Sequence, residues 1–240
     1  MSVSPPSDSA RPLIEILADR VVKTLGRTRV LDGVDVAVPQ GELWGVVGAD
    51  GAGKTTLLRC ISGLLQVDSG RVLPGRAGQS RLGFSQQGFH LYHDLTVDEN
   101  VAFIGRLYGL HRSALAASAE DLLAFAGLSE RRSSLAGELS GGMQQKLTLV
   151  CSLLHRPPVL LLDEPTTGVD PLSRLEFWDL VEHLHANGST VLFASAYFDE
   201  VERCDRVVYL DRGQVVAAGT PDELRGSHRT LEDAFLELTS

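Results

Sequence analysis

Cysteine is scarce: Cys60, Cys151 and Cys204 are the only three in 240 residues. That odd, scattered set gives neither a disulfide framework nor a Cys-pair metal site, and it points to a reducing cytoplasm. No run approaches the ~18 consecutive apolar residues of a membrane-spanning helix. The start has no basic-then-apolar secretory pattern, so the chain is expected to be soluble by itself. Positive charge is also in short supply: 22 basic residues against 31 acidic ones leave a formal charge of −9. Such a balance opposes the phosphate-neutralising surface that nucleic-acid binding requires, and no nucleic acid partner is expected. Internal repeats are missing, and each motif described below occurs once.

What is present suffices for a large core. With 43% hydrophobic residues, the chain fits one domain, or one domain with a lobe inserted in it. Residues 1–12 hold three prolines and four serines and read as a flexible tail ahead of a domain spanning 13–240. Over residues 14–38, β-branched residues recur between the turn-like pairs Leu25-Gly26 and Asp32-Gly33, suggesting strands at the edge of the fold. Leu43-Trp44-Gly45-Val46-Val47 then reads as a strand, followed by a glycine-rich turn and a helix over 55–61.

Residues 95–137 turn helical, opened by the capping-box form Thr96-Val97-Asp98-Glu99 and with a stop at Gly127. This predicts an inserted helical subdomain over about 88–150. Beyond it the pattern alternates. A strand over 159–162 is followed by a helix from Asp170-Pro171 to near Gly188, then by strands over 190–194, 206–210 and 214–218. A second capping box, Thr220-Pro221-Asp222-Glu223, and a last helix from Leu231 follow. Alternation of this kind predicts an α/β fold whose sheet has a parallel core.

Gly48-Ala49-Asp50-Gly51-Ala52-Gly53-Lys54-Thr55 has the spacing of glycine, four residues, then Gly-Lys-Thr. Glycines let consecutive N–H groups turn toward one anion and let phosphate oxygens come close. Lys54 is suited to the β and γ phosphates, and Thr55 to Mg²⁺. The following helix, with Thr56 in its first turn, adds a partial positive charge at its N-terminus. The predicted ligand is a nucleoside triphosphate. Val159-Leu160-Leu161-Leu162-Asp163-Glu164 reads as a strand buried on both faces that ends in two carboxylates. Asp163 can hold Mg²⁺, and Glu164 can polarise an attacking water as general base.

Leu139-Ser140-Gly141-Gly142-Met143 resembles the signature sequence of ABC (ATP-binding cassette) ATPases. Physically, Ser140, Gly141 and Gly142 at a helix start form a second anion site. The resemblance runs from Ile14 to the C-terminus with its motifs in the family's order. It implies a P-loop NTPase core with a mixed, mainly parallel sheet, an N-terminal antiparallel β subdomain and the inserted helical subdomain. It also implies ATP and Mg²⁺ as ligands, and two cassettes, identical or different, paired head to tail so that the signature of one closes on the ATP of the other. Gln87 resembles the glutamine of the loop that senses Mg²⁺ and water and meets the membrane subunit. Gln86 is its neighbouring competitor, and the spacing to Leu91-Tyr92 favours Gln87. Gly168-Val169-Asp170-Pro171 is similar to the loop that addresses the partner cassette.

Leu107-Tyr108-Gly109-Leu110 and Leu231-Glu232-Asp233-Ala234-Phe235-Leu236 resemble cassettes that serve bacterial drug and antibiotic exporters of the ABC-2 type. The expected protein is thus a transport-coupled ATPase on the inner face of the cell membrane, attached through a separate transmembrane permease. The runner-up is a soluble, non-transport ABC ATPase. Only 52 positions separate Gln87 from Leu139, too few for the long coiled coil that such relatives insert. Three positions depart from the family pattern: Ala196 where a histidine is usual, Leu25 where an aromatic is usual, and Asp50 where asparagine is usual.

Overall fold

The computed structural model describes residues 13–74, 82–88 and 91–239. The expected tail over 1–12 and the pair Phe89-His90 lie outside the described residues. β1 (Ile14–Leu25) and β2 (Thr28–Pro39) form a long antiparallel hairpin. A larger sheet begins with β3 (Leu43–Val47), and the chain leaves it through α1 (Lys54–Ile61). The next strand, β4 (Ser69–Leu73), pairs antiparallel with the free edge of β1 and completes a three-stranded sheet of order β2-β1-β4. The larger sheet gains β5 (Leu82–Ser85), β6 (Val159–Asp163), β7 (Thr190–Ser195), β8 (Arg206–Asp211) and β9 (Gln214–Gly219), in the order β5-β6-β7-β3-β8-β9. All its pairings are parallel except β8 with β9. The fold is therefore the mixed, mainly parallel α/β arrangement with an antiparallel N-terminal sheet that the sequence predicts.

Every residue of β3, β6 and β7 is buried, as parallel strands covered on both faces must be. One face packs Val46, Leu161 and Leu192 against Leu57 and Ile61 of α1 and against Ile16 and Val34 of the antiparallel sheet. The opposite face sets Val47, Leu162 and Phe193 against Phe177, Trp178 and Val181 of a long helix over Pro171–Ala186, with Phe235 of the C-terminal helix beside them.

Three helices build the lobe: α2 (Val97–Leu107), α3 (Arg112–Phe125) and α4 (Gly141–Leu153). Thr96 and Glu99 form the anticipated capping box at the start of α2. Lobe residues Val101, Leu123 and Leu128 close a core with Leu147 and Val150 of α4. Leu149 and Leu153 of the same helix enter the core beneath the parallel sheet. α4 thus has no solvent face over most of its length, with ten buried residues among its 13. The long helix over Pro171–Ala186 is α5, and α6 (Phe198–Val201), α7 (Pro221–Arg225) and α8 (Leu231–Thr239) follow. The three cysteines are free and buried, and burial pushes the Cys60 thiol up to about 11. Among the described residues, no helix is long and apolar enough to cross a membrane.

Candidate nucleotide site

The loop from Gly48 to Gly53 joins β3 to α1. A Cβ at Gly48 would lie 2.0 Å from the Leu210 carbonyl oxygen, so only glycine fits between loop and sheet. Gly53 caps α1 at φ 111° and brings no side-chain acceptor, leaving the first-turn N–H groups available to an anion. The Lys54 side chain is buried and folds back over the loop, its Nζ donating to the carbonyls of Gly48 at 2.8 Å and Ala49 at 3.2 Å. The same Nζ is 3.6 Å from Oε1 of Glu164.

Both carboxylates stand at the end of β6, one strand away from the loop. Asp163 is fully buried: its Oδ1 accepts from Thr55 Oγ1 at 2.9 Å, while Oδ2 has no hydrogen-bond partner among the described residues. Burial raises its pKa above the usual carboxylate value, and the Thr55 hydrogen bond works in the opposite direction. The next residue, Glu164, adopts the left-handed backbone at φ 46°, uncommon for a side chain with a Cβ and held only where its surroundings enforce it. Its N–H donates to Ala194 O on β7 at 2.9 Å. Its Oε2 accepts from Gln87 Nε2 at 3.0 Å and from Thr167 Oγ1 at 3.3 Å.

Most of these groups face one cavity of about 420 Å³, lined by Asp50, Gly51, Gly53, Lys54, Thr55, Thr56, Gln87, Glu164, Thr167 and Val30, with Gly48 and the buried Asp163 behind its wall. The Asp163 carboxylate, bound to the Thr55 hydroxyl through Oδ1 and with Oδ2 orphaned, and that hydroxyl are the hard oxygen donors that Mg²⁺ prefers. Among the described residues, no cluster of three His, Cys, Asp or Glu side chains could hold a metal by protein ligands alone. A cation here would therefore complete its shell with water and substrate phosphates, as Mg²⁺ does in nucleotide sites. The residues present fit it.

Gln87 faces this cavity, whereas Gln86 lines a separate hollow with Leu64, Phe84 and Tyr108. Ala52 is buried under the loop, its carbonyl accepting from Gly213 N. Ser140, Gly141 and Gly142 do not line the cavity. Ser140 caps α4, accepting from Met143 N at 3.3 Å, and Gly142 lies so close to α5 that a Cβ would sit 2.3 Å from that of Ser173. Asp170 caps α5 by accepting from Ser173 N at 3.0 Å, with Pro171 in the first turn. Neither Leu25 nor Ala196 lines the cavity; both are exposed. Sequence reasoning missed Thr167, whose hydroxyl meets Glu164 because the loop turns back with Thr167 N donating to Glu164 O. Val30, the apolar side chain on the cavity wall, carried no sequence signal either.

A lysine-backed glycine cradle at a helix start, with a carboxylate pair at the end of β6, separated from β3 by β7, is an arrangement suited to phosphate groups, and it places the chain among P-loop nucleotide-binding proteins. Comparison with known proteins narrows that class. Residues 31–167 match the family described as ABC transporter. The chain is 38% identical over 239 residues to the probable multidrug ABC transporter ATP-binding protein YbhF of Escherichia coli (strain K12), covering 93% of this chain and 41% of that one. It is 35% identical over 231 residues to the linearmycin resistance ATP-binding protein LnrL of Bacillus subtilis (strain 168), covering 92% and 74%. A solved dimeric bacterial ABC transporter cassette, MJ0796, superposes with a TM-score of 0.77 at 25% identity, covering 85% and 98%. The chain belongs to the ABC transporter family. It spans about two fifths of the length of the Escherichia coli relative.

Proposed function

We propose that this chain binds ATP and hydrolyses it to ADP and phosphate, as the ATP-binding subunit of an exporter whose membrane-spanning permease is a separate part. Drug, antibiotic or lipid-like cargo is the class favoured by the relatives named for multidrug and linearmycin resistance. The observation that carries the ATPase reading is the position of Glu164. Its carboxylate stands between Lys54 at 3.6 Å and Gln87 at 3.0 Å on the wall of the phosphate cavity.

In this reading Gly48, Asp50, Gly51, Ala52 and Gly53 form the loop around the phosphates, with backbone N–H groups as donors. Lys54 exchanges its two loop carbonyls for phosphate oxygens. Thr55, Asp163 and Gln87 hold Mg²⁺, which when bound neutralises charge on the β and γ phosphates. Glu164 orients the attacking water and takes its proton, while Gln87 keeps that carboxylate turned into the cavity. Ser140, Gly141 and Gly142 serve the ATP of a second cassette, in keeping with their place outside this chain's own cavity. Two cassettes, identical or different, close over two nucleotides; loss of the γ-phosphate reopens them, and the helical subdomain at about 88–150 passes the motion to the permease. The protein works at the cytoplasmic face of the membrane.

Glu164→Gln tests the assignment. ATP affinity should stay within a fewfold, while turnover falls by on the order of a hundredfold or more, the value of a positioned base. Undiminished steady-state hydrolysis by that variant would remove Glu164 from its role.

A further inference from the structure

Glu200 on α6 is 2% exposed and lies outside the nucleotide cavity. Its carboxylate takes two hydroxyl groups. Thr166 Oγ1 donates to Oε1, and Ser195 Oγ donates to Oε2 at 2.5 Å. The Ser195 oxygen in turn accepts the Tyr197 N–H at 2.9 Å. A serine hydroxyl has one proton to give, and here it goes to the carboxylate. Arg174 of α5 places its Nε 3.7 Å from Glu200 Oε1, and its guanidinium carbon lies 4.3 Å from the centroid of the Tyr197 ring. A carboxylate this deep is costly to bury without such donors and a nearby cation.

The two donors come from the segments that flank Glu164. Thr166 lies two residues beyond it, in the stretch that also carries Thr167 and Asp170. Ser195 ends β7, next to Ala194, whose carbonyl takes the Glu164 N–H at 2.9 Å. Glu200 therefore ties the chain leaving Glu164 to the strand that receives the Glu164 amide. Between those ties Glu164 holds its left-handed backbone, φ 46°, a conformation that persists only when the surroundings over-determine it.

We propose that Glu200 is a positioning residue for hydrolysis: through Thr166 and Ser195 its buried carboxylate clamps the two segments around Glu164 and so sets the direction of the Glu164 side chain. The inference rests on the ATPase reading above. The same clamp accounts for the shape of the loop around Ala196, which offers no polar side chain at that position: Tyr197 is held by its amide through Ser195 and by its ring through Arg174.

The test measures ATPase kcat, KM for ATP and the thermal midpoint of the purified full chain. Thr166→Val removes the hydroxyl and keeps the shape. Glu200→Gln keeps the volume and replaces one acceptor oxygen with a donor. Each should lower kcat about tenfold, the effect of a displacement smaller than the roughly 1 Å that costs about a hundredfold, with KM within about twofold. Thr166→Ser should return kcat to near the wild-type value, and the double variant Thr166→Val/Glu200→Gln should be no slower than Glu200→Gln alone, because both break one clamp. Should Glu200→Gln fail to fold, the Thr166 pair decides by itself. Wild-type kcat in Thr166→Val, a loss that Thr166→Ser does not restore, or losses that multiply in the double variant would overturn the clamp while leaving the ATPase reading intact. A wild-type chain that hydrolyses no ATP would overturn both.

Discussion

Replacing Asp163 with asparagine should make the empty protein more stable and the loaded one less so. Asp163 is fully buried, one oxygen is held by Thr55 at 2.9 Å and the other has no partner among the described residues. The asparagine amide would keep an acceptor for Thr55 and remove the buried charge. Buried unsatisfied groups cost about 1–3 kcal/mol, more when charged; the amide NH₂ would inherit the unpartnered place, so only the excess cost of the charge is relieved, and Lys54 and Arg59, which attract the carboxylate, offset part of that. A net gain of about 1 kcal/mol remains, or roughly 2–4 °C in thermal midpoint for a domain of this size.

Saturating Mg·ATP should reverse the order. Ligand at a hundredfold over its dissociation constant adds about 2.7 kcal/mol to the wild type, roughly 5–11 °C, and Asp163→Asn should lose most of the Mg²⁺-dependent part. The sign of the pH effect follows from the raised native pKa. Below the ordinary value of 3.8 both folded and unfolded states are protonated and the penalty vanishes; it grows as the pH rises from there to the native value and is complete above it. The advantage of the empty Asp163→Asn variant should thus be greatest near neutrality and narrow on acidification. Thermal melts with and without Mg·ATP suffice as the assay. An asparagine variant that is less stable when empty, or that gains as much from Mg·ATP as the wild type, would refute the argument.

Position 196 is exposed, so Ala196→His can be accommodated; if the absence of the histidine that the family pattern places there limits turnover, kcat should rise severalfold, and an unchanged or lower ATPase rate would count against that limit. Gly142→Ala should cost about 1–3 kcal/mol through overpacking, because its Cβ would sit 2.3 Å from that of Ser173. Ser173→Gly in the same chain should recover part of that loss in a denaturant titration, whereas equal losses with and without Ser173 would place the strain elsewhere.

The parts of the molecule legible in the sequence are those written in local pattern. Leu160, Leu161 and Leu162 run together because β6 is covered on both faces, and the glycine spacing before Lys54 has a mechanical meaning of its own. Capping chemistry at Thr96, Asp170 and Thr220 marked three helix starts for the same reason. β4 escaped notice because most of Ser69–Leu73 is exposed and shows no alternation; it is a strand because β1 leaves an edge open beside it. Thr167 and Glu200 were invisible for a deeper reason. Their partners, Glu164 in one case and Thr166 with Ser195 in the other, are chosen by how loops return in space, and one-dimensional spacing does not record that.

The double burial of α4 has a practical consequence for exchanging parts between relatives. Its Leu147 and Val150 complete the lobe while Leu149 and Leu153 complete the sheet layer, so no cut at either end of this helix separates the two. A chimera that imports a foreign lobe would have to stitch α4 from both parents along its length, one stripe for each, and a graft taken whole from one donor would leave a mismatched seam directly behind the Ser-Gly-Gly turn.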